Sequence, residues 1–529
     1  MPVLPKPLSV LHASWQTARM ARRLSRSGAA VSAQHEILPD LIKNLAQTAH
    51  GQELGIRPGM TYEEFRARVP LRDYDQLQPY FSRIKLGEAN VLWPGMCRWR
   101  AASARTVGPE PKWLPITDDA LAHFEKAATD SLLYYSARVD RAEVFGGTHL
   151  FLDPLLHLHE IATEEADAGK PAKANTDLVT SSPPWSLNQL AEPQQPVTDL
   201  SDWSAKMDVV IEGNTSVDIT LISGVPSWLL QFAEMVRDRE LFRHKPFTNL
   251  KDIWPNLECI VHHGVPIGPF HDELKRLVGP TVNFQEVYSA AEAIIAAQDA
   301  ESGVGLRLIA DAGVFYEFLP LKEYHESLPL TMSTKALPLE QVRVGEEYVL
   351  VLTTPAGLCR YVNGDIVRFT SNDPPRLLPA GRTQLRLNSF EENLGEKDLT
   401  DALVAVCQRH GWTIVNFHVA PLLSSSLIGQ TRGRHEWWVE LRPGTAETPT
   451  GPILAIHLDV DLQSRNSGYG VKRQRGPIEA PVVRLVMPGF FAHWMRHHDR
   501  WGGQNKMPRC RPDRLIADEL SALACFNAD

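Results

Sequence analysis

The chain has 529 residues, 54 basic against 63 acidic, for a net charge of −9. At roughly 100–200 residues per domain this length predicts several folding units with ample core, and 43% hydrophobic with 22% charged residues excludes a fibrous or disordered chain. The acidity argues against nucleic acid as a partner, and no stretch approaches the roughly 20 uninterrupted apolar residues of a membrane helix, so a membrane partner is not expected.

Taken in order, the first 35 residues hold Arg19, Arg22, Arg23 and Arg26 and no acid, which reads as an amphipathic helix rather than a transit peptide. Leu38–Leu45 is amphipathic, and Thr61-x-x-Glu64 is a capping-box start for the next helix. Residues 161–204 are polar and rich in proline, a long loop. Strand and helix signals then alternate. Val217–Ile222 has apolar residues at period two, followed by a Gly224-Val225-Pro226 turn and a helix marked by Trp228, Leu229, Phe232, Met235 and Val236. Cys259–His262 is the next strand, Glu273–Leu277 the next helix, and Val282–Tyr288 a third strand that ends in Ser289. Such alternation predicts an α/β fold, a parallel sheet flanked by helices.

From Gly305 the pattern becomes hairpins: Tyr348–Thr353, Leu358–Tyr361 and Ile366–Thr370 form one meander. Beyond residue 381 a helix (Asp398–Arg409), two strands (Thr413–Val419 and Glu436–Leu441) and a further helix predict a small α+β domain. The expected organisation is therefore a large domain over residues 1–381 and a small C-terminal domain over 382–529. The six cysteines are scattered, with no zinc-type pair and no disulfide framework, which fits reduced thiols in the cytoplasm. His493 and His497 are four apart, but no third ligand is placed by the sequence, so a transition-metal site is not expected.

The segment Ala102-Ser103-Ala104-Arg105-Thr106-Val107-Gly108-Pro109-Glu110-Pro111-Lys112 resembles the Ser-Gly-Thr-Thr-x-Gly-x-x-Lys phosphate loop of adenylate-forming enzymes. In such loops backbone N–H groups and hydroxyls surround phosphate oxygens. Further on come Tyr288-Ser289-Ala290-Ala291-Glu292, then Leu308-Ile309-Ala310-Asp311 through Phe318, then Gly357-Leu358-Cys359-Arg360-Tyr361-Val362-Asn363-Gly364-Asp365. Asn388-Ser389-Phe390-Glu391-Glu392-Asn393-Leu394-Gly395-Glu396-Lys397 and Gly502-Gly503-Gln504-Asn505-Lys506 complete the series. In this order the set resembles the auxin-responsive family of acyl-acid amido synthetases, in its bacterial branch. The resemblance implies a large N-terminal firefly-luciferase-like adenylating domain and a small, mobile C-terminal domain. It also implies a ligase that uses ATP and Mg²⁺ to activate a carboxylic acid as its adenylate and passes the acyl group to an amine, commonly an amino acid.

The resemblance distributes roles. Glu292 is the Mg²⁺ ligand, a hard oxygen donor suited to that ion, and Lys506 the mobile catalytic cation. Ser103, Arg105, Thr106, Gly108, Tyr288 and Ser289 would contact the nucleotide, Asp365 the ribose hydroxyls, and Arg382 ribose or phosphate. Lys112 either binds phosphate or stays solvated. Trp228 and His262 are candidates for the acyl pocket, with core packing the other reading of Trp228. The sequence does not give the acid, the amine or the oligomeric state. One alternative is a non-catalytic homologue acting as a binding or scaffold protein. Ala104, Arg105, His263 and Ala293 depart from the family pattern, and Gly468 and Gly470 interrupt an expected helix at about 1 kcal/mol each relative to Ala. Arg105 is nonetheless chemically able to hold a phosphate.

Overall fold

The computed structural model describes the chain except residues 1–5, 104–111, 153–157, 162–190, 193–202, 325–334, 384, 388, 391, 393, 428–429, 445–446, 499–506 and 527–529. It forms two compact units. One is built from most of the chain up to Pro379, the other from Ala380 onward together with Pro266–Asp272.

The first unit opens with helices Lys6–Leu24, Ala29–Leu45, Ala49–Glu53, Tyr62–Arg68 and Tyr74–Lys85. The capping box at Thr61 is formed: the Thr61 N–H donates to the Glu64 carboxylate at 2.9 Å, and the Glu64 N–H donates back to the Thr61 hydroxyl. Ala29–Leu45 starts well before the predicted Leu38 because of a tertiary contact. Gln34 is buried, donating from Nε2 to the Ala310 and Val314 carbonyls and accepting the Tyr316 N–H.

The strands up to the middle of this unit are β1 (Trp99–Ser103), β2 (Lys112–Ile116), β3 (Thr148–Phe151), β4 (Leu158–Glu160), β5 (Ala191–Glu192), β6 (Ile219–Gly224), β7 (Cys259–His263) and β8 (Asn283–Ser289). They continue with β9 (Ile294–Ala297), β10 (Leu306–Leu308), β11 (Phe315–Pro320), β12 (Leu337–Pro338), β13 (Glu347–Thr353), β14 (Tyr361–Asn372) and β15 (Pro375–Arg382). As predicted, β6, β7 and β8 pair in parallel, and β3, which the sequence pattern did not predict, adds to β6 in parallel. The predicted meander is not a separate layer. It joins the same mixed sheet, whose order is β12-β11-β13-β14-β15-β10-β9-β8-β7-β6-β3-β5, while β2-β1-β4 form a small second sheet. Leu358–Tyr361 does not form the predicted strand. Arg360 adopts φ 45° and its side chain enters a buried ion pair, so β14 begins only at Tyr361. Most of the predicted 161–204 loop lies outside the described residues, and Ala191–Glu192 within it pairs with β3.

Helix Asp118–Val139 carries the core of this unit at the centre of the sheet. Thr117 caps it by accepting the Ala120 N–H, and two acids follow in the first turn, favourable against the helix dipole. Ala120, Phe124 and Ala127 pack with Val261 of β7, Val287 of β8 and Ile294 of β9.

In the second unit, β16 (Arg386–Leu387) and β17 (Leu394–Gly395) lead into helix Glu396–His410. β18 (Thr413–Leu427) and β19 (Gln430–Arg442) form an antiparallel hairpin longer than the sequence pattern predicts, and β20 (Val482–Val486) adds to β19 in parallel. Helix Gly451–Arg465 stops at Asn466, which caps a new helix, Ser467–Arg475, by accepting the Tyr469 N–H. Gly468 therefore does not interrupt a helix by default of side chain. A Cβ there would stand 2.9 Å from the Glu392 carbonyl oxygen, so the close approach itself requires glycine. The Glu392 carboxylate in turn accepts the Phe390 N–H at 2.7 Å and meets buried His435 at 2.9 Å.

Candidate active site

Open sheets bind ligands beyond the carboxyl ends of their parallel strands. Here those ends are Gly224 of β6, His263 of β7 and Ser289 of β8, with Gly224 in register with His262 and His262 with Glu286, so that β8 reaches furthest. Directly after β8 the chain reverses in a tight turn. Ala290 and Ala293 exchange backbone hydrogen bonds at 2.9 and 3.3 Å, which leaves Ala291 and Glu292 at the tip. Glu292 is half-buried there.

Asp365 arrives from β14, four strands away from β8 in sheet order. In a flat sheet that separation would be about 19 Å. Yet the Tyr288 hydroxyl donates to Asp365 Oδ2 at 2.8 Å, so the sheet curls back on itself. Between them β10 is short, paired with β15 over two residues and with β9 over two. A bulge aims Asp365 into the curl: Val349 pairs with Ile366 and Val351 with Val362, so three residues of β14 oppose one of β13. Gly364, at φ 85°, supplies the left-handed turn that this bulge needs. Asp365 is 5% exposed, and it also accepts from the Asn363 amide at 3.3 Å while its own N–H donates to Asn363 Oδ1 at 3.0 Å.

At the start of β14, burial first, then the Glu292 carboxylate, pushes the phenol of buried Tyr361 well above its usual pKa. The base of the Glu292 turn is fixed from below by His123 of helix Asp118–Val139. Its Nδ1 donates to the Ala312 carbonyl at 2.7 Å and its Nε2 accepts the Ile294 N–H at 3.1 Å, which defines one neutral tautomer. Burial lowers the His123 pKa to about 4.

Tyr288, Ser289, Glu292 and Asp365 are therefore gathered at one end of the first unit. His262 is buried at the end of β7, edge-on to Phe284, and His263 beside it is buried too. Trp228 is buried in helix Pro226–Phe242, directly after β6. Ser103 and Lys112 are register partners in the β1–β2 ladder that flanks the predicted phosphate loop, with the Lys112 ammonium 4.9 Å from the Tyr74 ring centroid. Arg105, Thr106, Gly108 and Lys506 lie outside the described residues. Arg382 ends β15, half-buried, in the second unit. Sequence reasoning gave Tyr361 no assignment although it stood inside a quoted motif, and it missed His123, in a helix the sequence reading did not single out.

Models of the GH3 family match three stretches in order: the N-terminal domain over residues 23–210, the central domain over 307–382 and the C-terminal domain over 397–514. The chain belongs to the GH3 family. The indole-3-acetic acid-amido synthetase GH3.8 of Oryza sativa subsp. indica is a 23% identical GH3 relative, aligned over 90% of this chain and 87% of that one. Among solved structures, a GH3.15 acyl acid amido synthetase in complex with 2,4-DB superposes with a TM-score of 0.74 at 18% identity, covering 96% of each chain. A 2-hydroxyisobutyryl-CoA ligase in a postadenylation state gives a TM-score of 0.58 at 15% identity over 93% of this chain and 92% of that one. The expected family and the adenylating α/β fold are thus borne out, with a GH3 architecture shared with adenylate-forming ligases.

Proposed function

We propose that this chain is an ATP-dependent acyl-acid amido synthetase. In the first half-reaction a carboxylate oxygen of the acid attacks the α-phosphorus of ATP, the Pα–O bond to the β-phosphate breaks, and pyrophosphate leaves. In the second, an amine nitrogen, commonly that of an amino acid, attacks the acyl carbon. The bond to AMP breaks, and an amide forms with loss of a proton from nitrogen.

The observation that supports this reading most is the curl. It brings the Tyr-x-x-x-Glu element and the Gly-Asp element together through the Tyr288–Asp365 hydrogen bond, although they lie on strands four apart in the sheet. Asp365, held by Tyr288 and Asn363, carries a carboxylate, a group able to accept from ribose hydroxyls. Glu292 suits Mg²⁺, which uses one or two protein carboxylates and takes its remaining ligands from substrate phosphates and water. The described residues hold no cluster of three or more acidic, His or Cys groups that would cage a metal by themselves, in keeping with that mode. When bound, the ion would neutralise charge on the triphosphate. Ser103, Arg105, Thr106, Gly108, Lys112, Ser289 and Arg382 are proposed as further nucleotide contacts, Lys506 as the cation that stabilises charge at the α-phosphate, and Trp228 and His262 as walls of the acyl pocket. The five described cysteines are free thiols, in keeping with a reducing compartment, and no described helix is long and apolar enough to cross a membrane.

The departures that favoured a non-catalytic homologue lose weight. Gly468 is demanded by packing against Glu392, and Ala293 simply closes the Glu292 turn. The test is to incubate the protein with ATP, a panel of aryl, indolyl and fatty acids and a mixture of amino acids, and to follow AMP and amide products by mass spectrometry. Amide mass appearing with AMP in an acid-dependent manner is expected. ATP bound but no AMP with any pair would overturn the reading.

A further inference from the structure

We infer that Asn363 is a positioning residue for the Asp365 carboxylate, fixing its direction and through it the recognition of the ribose hydroxyls. The inference rests on the reading of Asp365 as the acceptor for those hydroxyls.

Asn363, Gly364 and Asp365 are the three residues of β14 that bulge between the Val349–Ile366 and Val351–Val362 pairs, and none of them has a register partner in β13. The bulge therefore takes from Asp365 the cross-strand pairing that orders its neighbours. Asn363 supplies a replacement from within the bulge. Its Oδ1 accepts the Asp365 N–H at 3.0 Å, a turn closed by a side chain across Gly364, which stands at φ 85°. Its Nδ2 donates to Asp365 Oδ2 at 3.3 Å. One amide thus grips the main chain and the side chain of the same residue.

These two contacts settle which way the amide faces, because the backbone N–H needs an acceptor and the carboxylate needs a donor. Asparagine is otherwise out of place here. It is depleted in strands, where β-branched and aromatic residues fit a half-buried position better, and Asn363 is half-buried in β14. Strand packing does not explain its amide; Asp365 does. The Tyr288 hydroxyl donates to the same oxygen, Oδ2, at 2.8 Å. Two donors, one local and one from β8 four strands away in sheet order, converge on one carboxylate oxygen. A side chain restrained in this way has less freedom to lose when a ligand binds, and ordering a side chain on binding costs affinity. Asn363 acts through Asp365 and needs no contact with the nucleotide.

The test compares two nucleotides that differ only at the ribose. ATP and 2′,3′-dideoxy-ATP are titrated by calorimetry in Mg²⁺, without acid or amine, into wild type, Asn363→Ala and Asn363→Leu, with melting curves in parallel. Wild type should prefer ATP. Each variant should lose about fivefold of that preference, through weaker ATP, while dideoxy-ATP binds as it does to wild type. A residue that merely held the fold would move both nucleotides together. If the variants keep the wild-type preference, whatever their melts, or if neither of them folds, the role of Asn363 is wrong. If wild type does not prefer ATP, the ribose reading of Asp365 fails, and this inference with it.

Discussion

Asp365→Asn separates a nucleotide role for this carboxylate from a structural one. Truncation to alanine would not, because Asp365 is 5% exposed and accepts from both Tyr288 and Asn363. Removing their acceptor inside the protein would cost about 1–3 kcal/mol of stability and blur any effect on ATP. Asparagine keeps the shape and an acceptor oxygen, so Tyr288 keeps its bond. What disappears is the charge. Hydrogen bonds to ionised groups contribute about 1.5–3 kcal/mol against about 0.5–1.5 for neutral pairs. Two ribose hydroxyls moved from one class to the other should therefore lose at least about 1.4 kcal/mol, a tenfold weakening of ATP. The measurement is ATP affinity by calorimetry beside a thermal melt, with Asp365→Ala as the reference for structural damage. Expected is Asp365→Asn with a melt close to wild type and ATP weakened tenfold or more. Wild-type ATP affinity in Asp365→Asn would refute the ribose assignment, and a melt as low as that of Asp365→Ala would show the carboxylate to be mainly structural.

The buried histidines His123, His149 and His418 all have pKa values lowered to about 4, by burial first. Their folded pKa lies below the unfolded value of about 6.5, so the stability they confer is complete above that pH and is lost as pH falls toward 4. By pH 5 this amounts to about 2 kcal/mol for each histidine, and urea melts at pH 7.5 and 5 should show a smaller difference for His123→Gln than for wild type. Gly468→Ala should destabilise the second unit by about 1–3 kcal/mol, through overpacking against the Glu392 carbonyl; a rise in melting temperature would mean that the helix gains more from alanine than the contact costs. Glu317→Leu leaves the Arg360 guanidinium buried without its carboxylate and should cost about 3–5 kcal/mol, with part recovered in Glu317→Leu/Arg360→Met. Additive losses in the double variant, seen by denaturant melts, would contradict the pairing.

Local signals carried far in this sequence. The alternation of strand and helix from Val217 to Ser289 correctly predicts the parallel strands, because fully buried strands such as Cys259–His263 are short apolar runs bounded by turn residues. Thr61-x-x-Glu64 predicts its own cap, since both partners lie within one turn. What periodicity could not reveal depends on distant partners. Helix Ala29–Leu45 is anchored by Gln34 to residues about 280 positions away, and the strand expected over Leu358–Tyr361 gives way to an Arg360 that answers to Glu317. The site shows the same division. Tyr288, Glu292 and Asp365 were legible as motif residues, but their meeting depends on the curl of a twelve-stranded sheet. His123 looks like any helical histidine until the Ile294 N–H is found at its Nε2.

Pyrophosphate exchange tests the central claim most directly. The protein is incubated with ATP, Mg²⁺ and labelled pyrophosphate, with each acid of an aryl, indolyl and fatty-acid panel and no amine, and the return of label to ATP is counted. Wild type should exchange with at least one acid and not without it, and Glu292→Gln should exchange at least about tenfold more slowly, roughly 1.4 kcal/mol of barrier, at an unchanged melting temperature. Label returning to ATP at the same rate with and without acid, or at wild-type rate in Glu292→Gln, would contradict acid adenylation at this site.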